Sequence, residues 1–194
     1  KVTGPKGVKF SRQEADGSIL VEGTNVASGT YTVEGAIAPG SRITGLRIEV
    51  LPDPSLPSDG PGRAEHGNFV LNHVTLAISG KPRAFADARA DYSQGGWPDV
   101  HVLDAKSGSG KNGNGWAIGG QIGKPHHIDL GLAYPMETVE ETPYKLELIQ
   151  NYGSSHLIGK FRIRLITTPT DLSIPRELRE YLSNQPGTLD DRTL

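Results

Sequence analysis

The sequence predicts an all-β fold: an antiparallel β-sandwich of the jelly-roll kind with a short C-terminal helix. Three observations carry this. Apolar residues alternate with polar ones in run after run, the period of strands with one buried face. Gly (25) and Pro (14) make up about a fifth of the 194 residues, against a usual share of roughly 12%, so elements are short and turns many. No apolar stretch reaches the ~20 residues of a membrane helix, and a helical bundle would not tolerate this much Gly and Pro.

The elements follow in order. Val8 to Phe10 and Gly17 to Gly23 read as two short strands around a turn at Ala15-Asp16-Gly17. Tyr31 and Val33 oppose Thr32 and Glu34 within Thr30 to Ile37. Leu46, Ile48 and Val50 alternate with Arg47 and Glu49. Val70, Val74, Leu76 and Ile78 share one parity in a run from Asn68 to Ser79. Ala84, Ala86, Ala88, Ala90 and Tyr92 form a narrow stripe expected to face a crowded core. Three further runs follow: His126, Ile128, Leu130 and Leu132; then Tyr144, Leu146, Leu148, Gln150 and Tyr152; then Phe161, Ile163 and Leu165. This many strands points to two packed sheets. Two long connections, Pro52 to Gly67 and Gly95 to Gly115, stand out as functional ground, because long structureless loops are uncommon in compact domains. Ser173 is expected to cap a helix of about three turns with Ile174, Leu178 and Leu182 on its apolar face and Pro186-Gly187 beyond its end. Residues 1–168 then form the sandwich, and 169–194 form the helix and a linker to a following domain.

Charge and composition remove several function classes. Lys and Arg number 20 against 22 Asp and Glu, so no basic field exists to hold nucleic acid. With no cysteine, thiol nucleophiles, zinc–thiolate sites and covalent haem attachment are excluded within this segment. Membrane insertion by a helix is not expected. A chain beginning at Lys1 without an apolar signal core reads as a mature chain or, in preference, as a piece of a larger protein.

The motifs are weighed against plainer readings. Ser107-Gly108-Ser109-Gly110-Lys111 fails as a phosphate loop, because Ala105 stands where its first Gly is needed and Asn112 where Ser or Thr would hold the metal. Gly108-x-Gly110-x-x-Gly113 lacks a following helix to meet a pyrophosphate. No Gly-x-Ser-x-Gly elbow occurs, and the acidic residues are scattered rather than paired for glycosidase chemistry, so no catalysis is assigned. His126-His127-x-Asp129 lacks a third ligand at usable spacing, which favours one buried hydrogen-bonded His and one solvated. His156 reads as a turn residue bonding backbone groups. Calcium takes six to eight oxygens, which a Gly-rich loop can bend to present, and Asp104, Asn112 and Asn114 are the candidates. Trp97, on the loop Gly95-Gly96-Trp97-Pro98, offers a flat face for a sugar ring or a plug over the sandwich end. Trp116 reads as core. Arg63 either bonds a ligand or braces its loop.

Several strings together resemble a β domain of large multidomain planctomycetal cytochrome c proteins. They are Asp16-Gly-Ser-Ile-Leu-Val, Leu51-Pro-Asp-Pro-Ser-Leu-Pro, Gly60-Pro-Gly-Arg-Ala and Gly67-Asn-Phe-Val-Leu, then Ala90-Asp-Tyr-Ser-Gln, Gly115-Trp-Ala-Ile, Gly123-Lys-Pro-His and Tyr152-Gly-Ser-Ser-His-Leu-Ile-Gly-Lys-Phe-Arg. The resemblance covers roughly residues 16 to 167. Beneath it, Asp91-Tyr-Ser-Gln, Val102-Leu-Asp104, Gly115-Trp116-Ala and His127-Ile-Asp-Leu-Gly resemble the galactose-binding-like (discoidin, carbohydrate-binding-module) jelly roll. That class implies a calcium loop running from the Asp toward the Trp, with ligand loops at one end. Here the loop is longer, and Lys106 departs from the usual Gly-Asn. The resemblance also implies an extracytoplasmic setting, periplasmic or cell-surface, with haem held elsewhere in the larger protein.

The resulting expectation is a non-catalytic module that binds carbohydrate, most naturally polysaccharide. Trp97, Tyr134 and Tyr152 would stack on sugar rings, and Arg63, Asn68 and Gln94 would bond hydroxyls. The competing expectation is a structural spacer that docks neighbouring domains of the same protein.

Overall fold

The computed structural model describes residues 1–104 and 114–183. Among these, the strands in chain order are β1 (Val2–Thr3), β2 (Val8–Arg12), β3 (Ile19–Gly23), β4 (Gly29–Ile37), β5 (Arg42–Val50), β6 (Val70–Leu71), β7 (His73–Ile78), β8 (Lys81–Arg83), β9 (Phe85–Ala90), β10 (Trp116–Ala117), β11 (His126–Glu137), β12 (Thr142–Gln150) and β13 (Lys160–Ile166). One α-helix, α1 (Arg176–Ser183), follows them. One sheet has the order β1-β4-β12-β7-β8 and the other β2-β3-β13-β5-β11-β9, with β6 and β10 forming a small ladder between long loops. Every pairing is antiparallel.

The alternation seen in the sequence becomes the core of a β-sandwich. Tyr31 and Val33 of β4, Leu146 and Leu148 of β12, and Val74, Leu76 and Ile78 of β7 meet Leu46, Ile48 and Val50 of β5, Ile128 and Leu130 of β11, and Phe161 of β13 in one buried cluster. The alternate residues of the second sheet point outward and pair by charge. Arg47 holds Asp129 through two bonds of 2.6 and 2.7 Å, and Glu49 accepts from Arg162 at 2.5 Å and Arg164 at 3.2 Å.

Three expectations change on folding. The run from Asn68 to Ser79 is not one strand: it breaks at Asn72, where the chain leaves the β6–β10 ladder and enters the first sheet. The break is built by the Asn72 side chain, 0% exposed, whose Oδ1 accepts from the N–H groups of Asn151 (2.6 Å) and Tyr152 (3.1 Å) while Nδ2 donates to the Asn114 carbonyl (2.6 Å). The Ala stripe is interrupted by a bulge. Gly131 pairs with Asp87 and Leu132 with Phe85, so Ala86 is skipped, Phe85 packs on the core, and Asp87 is buried beside Ala88. The tail, finally, meets the sandwich with Leu172, 3% exposed, and with two arginines, while the helix leucines stay exposed. A 3₁₀ turn, Asp171–Ser173, is capped by Thr170 rather than Ser173 beginning the helix. Leu178 and Leu182 are 48% and 47% exposed, whereas Arg176 and Arg179 face Asp87. Pro186-Gly187 lies outside the described residues.

Strand register gathers four connections at one end. Val50, the end of β5, pairs with the first residue of β11 and with Phe161 of β13, and Gly29, the start of β4, pairs with Gln150, the end of β12. The described segments 24–28, 51–69, 91–104, 114–125 and 151–159 therefore share that end. They are tied to one another by Asn25 donating to the Arg63 carbonyl (2.9 Å), Ser155 N–H to Ala27 (3.0 Å) and Val70 N–H to His156 (3.1 Å).

Candidate functional site

At this end three loops build a row of rings. Trp97, from the loop after β9, packs edge-to-face on Tyr152, from the loop after β12, with ring centres 5.2 Å apart. Tyr152 packs in turn against His156 at 4.7 Å, and His156 against His66 of the 51–69 loop at 5.2 Å. Perpendicular packing suits the aromatic quadrupole. Trp97, Tyr152 and His156 are half-buried and His66 is exposed.

Local geometry explains why these residues converge. Gln94 N–H donates to the Ala117 carbonyl (2.8 Å) and Trp97 N–H to the Gln94 carbonyl (2.9 Å), closing a turn through Gly96, whose φ of 80° favours glycine. Tyr152 is placed by the Asn72 amide described above. His156 Nδ1 lies 2.9 Å from the Gly153 carbonyl, so Nδ1 carries the proton and donates. Burial pushes the His156 pKa down, and neighbouring His66 adds to this.

Beside the rings sits an amide pair. Asn68, 5% exposed, donates from Nδ2 to Gln94 Oε1 at 3.0 Å, and its Oδ1 accepts from Ile118 N–H at 3.1 Å. Gln94 Oε1 also accepts from Gly119 N–H at 2.8 Å. Both contacts fall on Oε1, which leaves the Gln94 amino group as the end not engaged in them. Beneath lies Trp116, fully buried as the sequence implied, with Nε1 donating to the Tyr92 carbonyl at 2.8 Å.

Of the predicted ligand residues, the structure brings together Trp97, Tyr152, Asn68 and Gln94. Arg63 is nearby but engaged: it is 6% exposed, and its guanidinium donates to the carbonyls of Gly23 (2.9 Å) and Thr24 (3.2 Å), bracing one loop against the next. Tyr134 does not join them. It is 81% exposed on the far half of β11, where Met136 pairs with Ile43, while His126 lies at the loop end; at ~3.3 Å per residue that is roughly 25 Å away. Of the calcium candidates, Asp104 is exposed and Asn114 offers its carbonyl to Asn72, whereas Asn112 lies outside the described residues. Among the described residues no three His, Cys, Asp or Glu side chains form a metal-binding group.

The His126-His127 pair follows the plainer reading, with His126 buried and hydrogen-bonded and His127 more open to solvent. Asp91 Oδ2 bonds buried His126 at Nδ1 (2.8 Å), and Oδ1 accepts from the His127 backbone N–H (2.8 Å). His126 Nε2 is also occupied, by the Gln121 carbonyl at 3.0 Å.

The sequence reading missed Asn72 and the part His66 and His156 play in the ring row. Asn72 had a signal: it is the polar member on the parity of Val70, Val74, Leu76 and Ile78. His66 had none, because its partner is distant in sequence.

Fold and site together define an antiparallel β-sandwich protein with a loop-built aromatic surface at one end. No protein-family model matches the chain, and no curated protein or solved structure does either.

Proposed function

We propose that this chain is a non-catalytic carbohydrate-binding module of jelly-roll type, with its ligand surface at the loop end. The observation that carries the reading is the contact of Trp97 with Tyr152 beside the Gln94–Asn68 amide pair. Two rings from different loops supply apolar faces and edges for a sugar ring, and an amide supplies fixed polar groups for hydroxyls, the usual division in a small-molecule site. The jelly-roll assignment draws on the strand orders β3-β13-β5-β11 and β4-β12-β7-β8, in which early and late strands of the chain alternate. The same reading places the module in an extracytoplasmic, modular cytochrome c protein and assigns a calcium ion to the loop between Asp104 and Asn114.

Affinity electrophoresis in gels cast with polysaccharide tests the reading. The native protein is retarded by at least one polysaccharide of the panel. Trp97→Ala and Tyr152→Ala weaken retardation by more than about tenfold, while Tyr181→Ala on α1 leaves it unchanged. No retardation across a broad polysaccharide panel, or retardation indifferent to Trp97 and Tyr152, overturns it.

A second reading, a spacer docking neighbouring domains of its own protein, is favoured by one observation. Leu178, Tyr181 and Leu182 of α1 are 48%, 60% and 47% exposed, an apolar helix face turned away from the sandwich.

A further inference from the structure

The two sheets part along one edge. β3 pairs with β13 at two positions, Leu20 with Lys160 and Ile19 with Phe161, and β1 covers Thr32 and Val33 of the longer β4. These short edge strands leave a cleft of about 340 Å³ between the sheets. Val33 and Tyr144 line it from one sheet, and Phe10, Phe161 and Ile163 from the other. It lies away from the ring row. Tyr144 and Gln150, the loop-end residue, stand six positions apart on β12, roughly 20 Å at ~3.3 Å per residue.

The walls are rich in rings held from behind. Phe10 packs edge-to-face on buried Tyr31 with centres 5.1 Å apart, and Tyr31 stacks on Phe161 at 6.1 Å with the planes 18° apart. Tyr144 is laid over Gly35 of β4, where a Cβ would come within 2.8 Å of its Cε1 and 2.9 Å of its hydroxyl oxygen. The missing side chain gives the phenol its place. Its hydroxyl makes no hydrogen bond among the described residues.

A cation stands at the mouth, out of pattern. Arg12 shares the parity of Val8 and Phe10, which pack on the core, so a guanidinium takes an inward position of β2. Lys1 and Arg162 also reach the cleft, but Lys1 is paired with Glu34 at 3.2 Å and Arg162 with Glu49 at 2.5 Å. Arg12 makes no hydrogen bond or ion pair among the described residues. An inward charge can also serve to blunt an edge strand. Edge protection alone does not call for a ring-lined cleft beside that charge, or for an unengaged phenol in the same cleft.

We propose that this cleft binds a small aromatic carboxylate, with its ring among Phe10, Phe161 and Tyr144 and its carboxylate on the Arg12 guanidinium. Charge complementarity selects the anion, because a guanidinium fork matches a carboxylate with two parallel bonds. The ring walls select an aromatic body, which gains from edge and face contacts. The volume falls at the lower end of small-ligand sites. This site is independent of the polysaccharide surface, since it shares no residue with it.

Calorimetry and saturation-transfer NMR with 4-phenylbutyrate test the proposal. One equivalent binds per chain. The neutral analogue 4-phenylbutanol binds more than about tenfold more weakly, and hexanoate, which lacks the ring, is also weaker. Arg12→Gln, a change at an exposed side chain, removes the preference for acid over alcohol, and Tyr144→Phe weakens binding severalfold. Arg164→Gln on the outer face of β13 and Trp97→Ala at the loop end leave binding unchanged. No saturable binding of 4-phenylbutyrate, equal binding of the alcohol or of hexanoate, native-like binding by Arg12→Gln, or loss in Trp97→Ala overturns the proposal. Polysaccharide retardation is measured separately on Arg12→Gln and stays native, so failure of one proposal is distinguishable from failure of the other.

Discussion

Asp87 of β9, 1% exposed, is neutralised by Arg179 of α1, whose Nη2 meets its Oδ2. Arg176 approaches the other oxygen, with Nε 3.4 Å from Oδ1, and donates from Nη2 to the Ala88 carbonyl at 2.5 Å. With Asp99 accepting from Ala90 N–H at 2.8 Å, these contacts cover the outer edge of β9, which would otherwise offer free backbone groups to another strand. The tail is thus part of the sandwich's charge balance. Replacing Arg176 and Arg179 together by Ala leaves a buried carboxylate unpaired and should cost about 3–5 kcal/mol in urea unfolding. Adding Asp87→Asn to that variant should recover part of the loss; failure to do so would show that packing, not charge, holds the tail.

Asn72 orders the ring row from below. Asn72→Ala strips partners from Asn151 N–H, Tyr152 N–H and the Asn114 carbonyl, at about 1–3 kcal/mol for each group left unsatisfied. The near-ultraviolet circular dichroism of the Trp97–Tyr152 pair should diminish with it. Asn72→Asp keeps the acceptor but turns a second oxygen toward the Asn114 carbonyl, and should not restore the native signal.

Acid should destabilise the fold through three carboxylates. Ser55 and then Lys160 hold Asp53 below the usual range. Burial pushes Glu49 up, but Arg162 and Arg164 outweigh it and its pKa is lowered. Lys145, with help from Thr75, lowers Glu147. Groups depressed on folding contribute stability that is present above their unfolded values, about 4, and lost as pH falls through the folded ones. The urea midpoint should be level above about pH 5 and fall below pH 4, with a shallower fall in Glu49→Gln.

Tyr31 gives the alkaline counterpart. Burial pushes its phenol up to about 12, with Arg63 opposing, and its hydroxyl donates to the Ile158 carbonyl at 3.1 Å. The neutral form is the folded one, so stability held below about pH 10 should be lost as pH rises toward 12. In spectrophotometric titration Tyr31 should ionise late, near 12 rather than at the ordinary phenol value of about 10. Tyr31→Phe should remove that late step and, by orphaning the Ile158 carbonyl, cost about 1–3 kcal/mol.

The legible parts of this protein were those with a local signature. Alternation in Leu46-Ile48-Val50 and Leu146-Leu148 gave strands and their buried face because a strand's side chains repeat every two residues. Trp116 read as core because it opens an apolar run, and Trp97 as a loop residue because Gly and Pro surround it. Apolar spacing marked the C-terminal helix, α1, but not the side it turns to the sandwich: Leu178 and Leu182 face outward, while Arg176 and Arg179 reach the buried Asp87 carboxylate.

By itself, then, the chain determined its strand content, its inward residues and the places of its long loops, since these rest on periodicity and on backbone limits at Gly and Pro. Only the tertiary structure decided that Trp97 meets Tyr152, that His66 meets His156, that Arg63 turns inward and that Tyr134 stands apart. Those relations depend on which strand ends lie together, and antiparallel pairing between residues as distant as Gly29 and Gln150 leaves no mark at short range in the sequence.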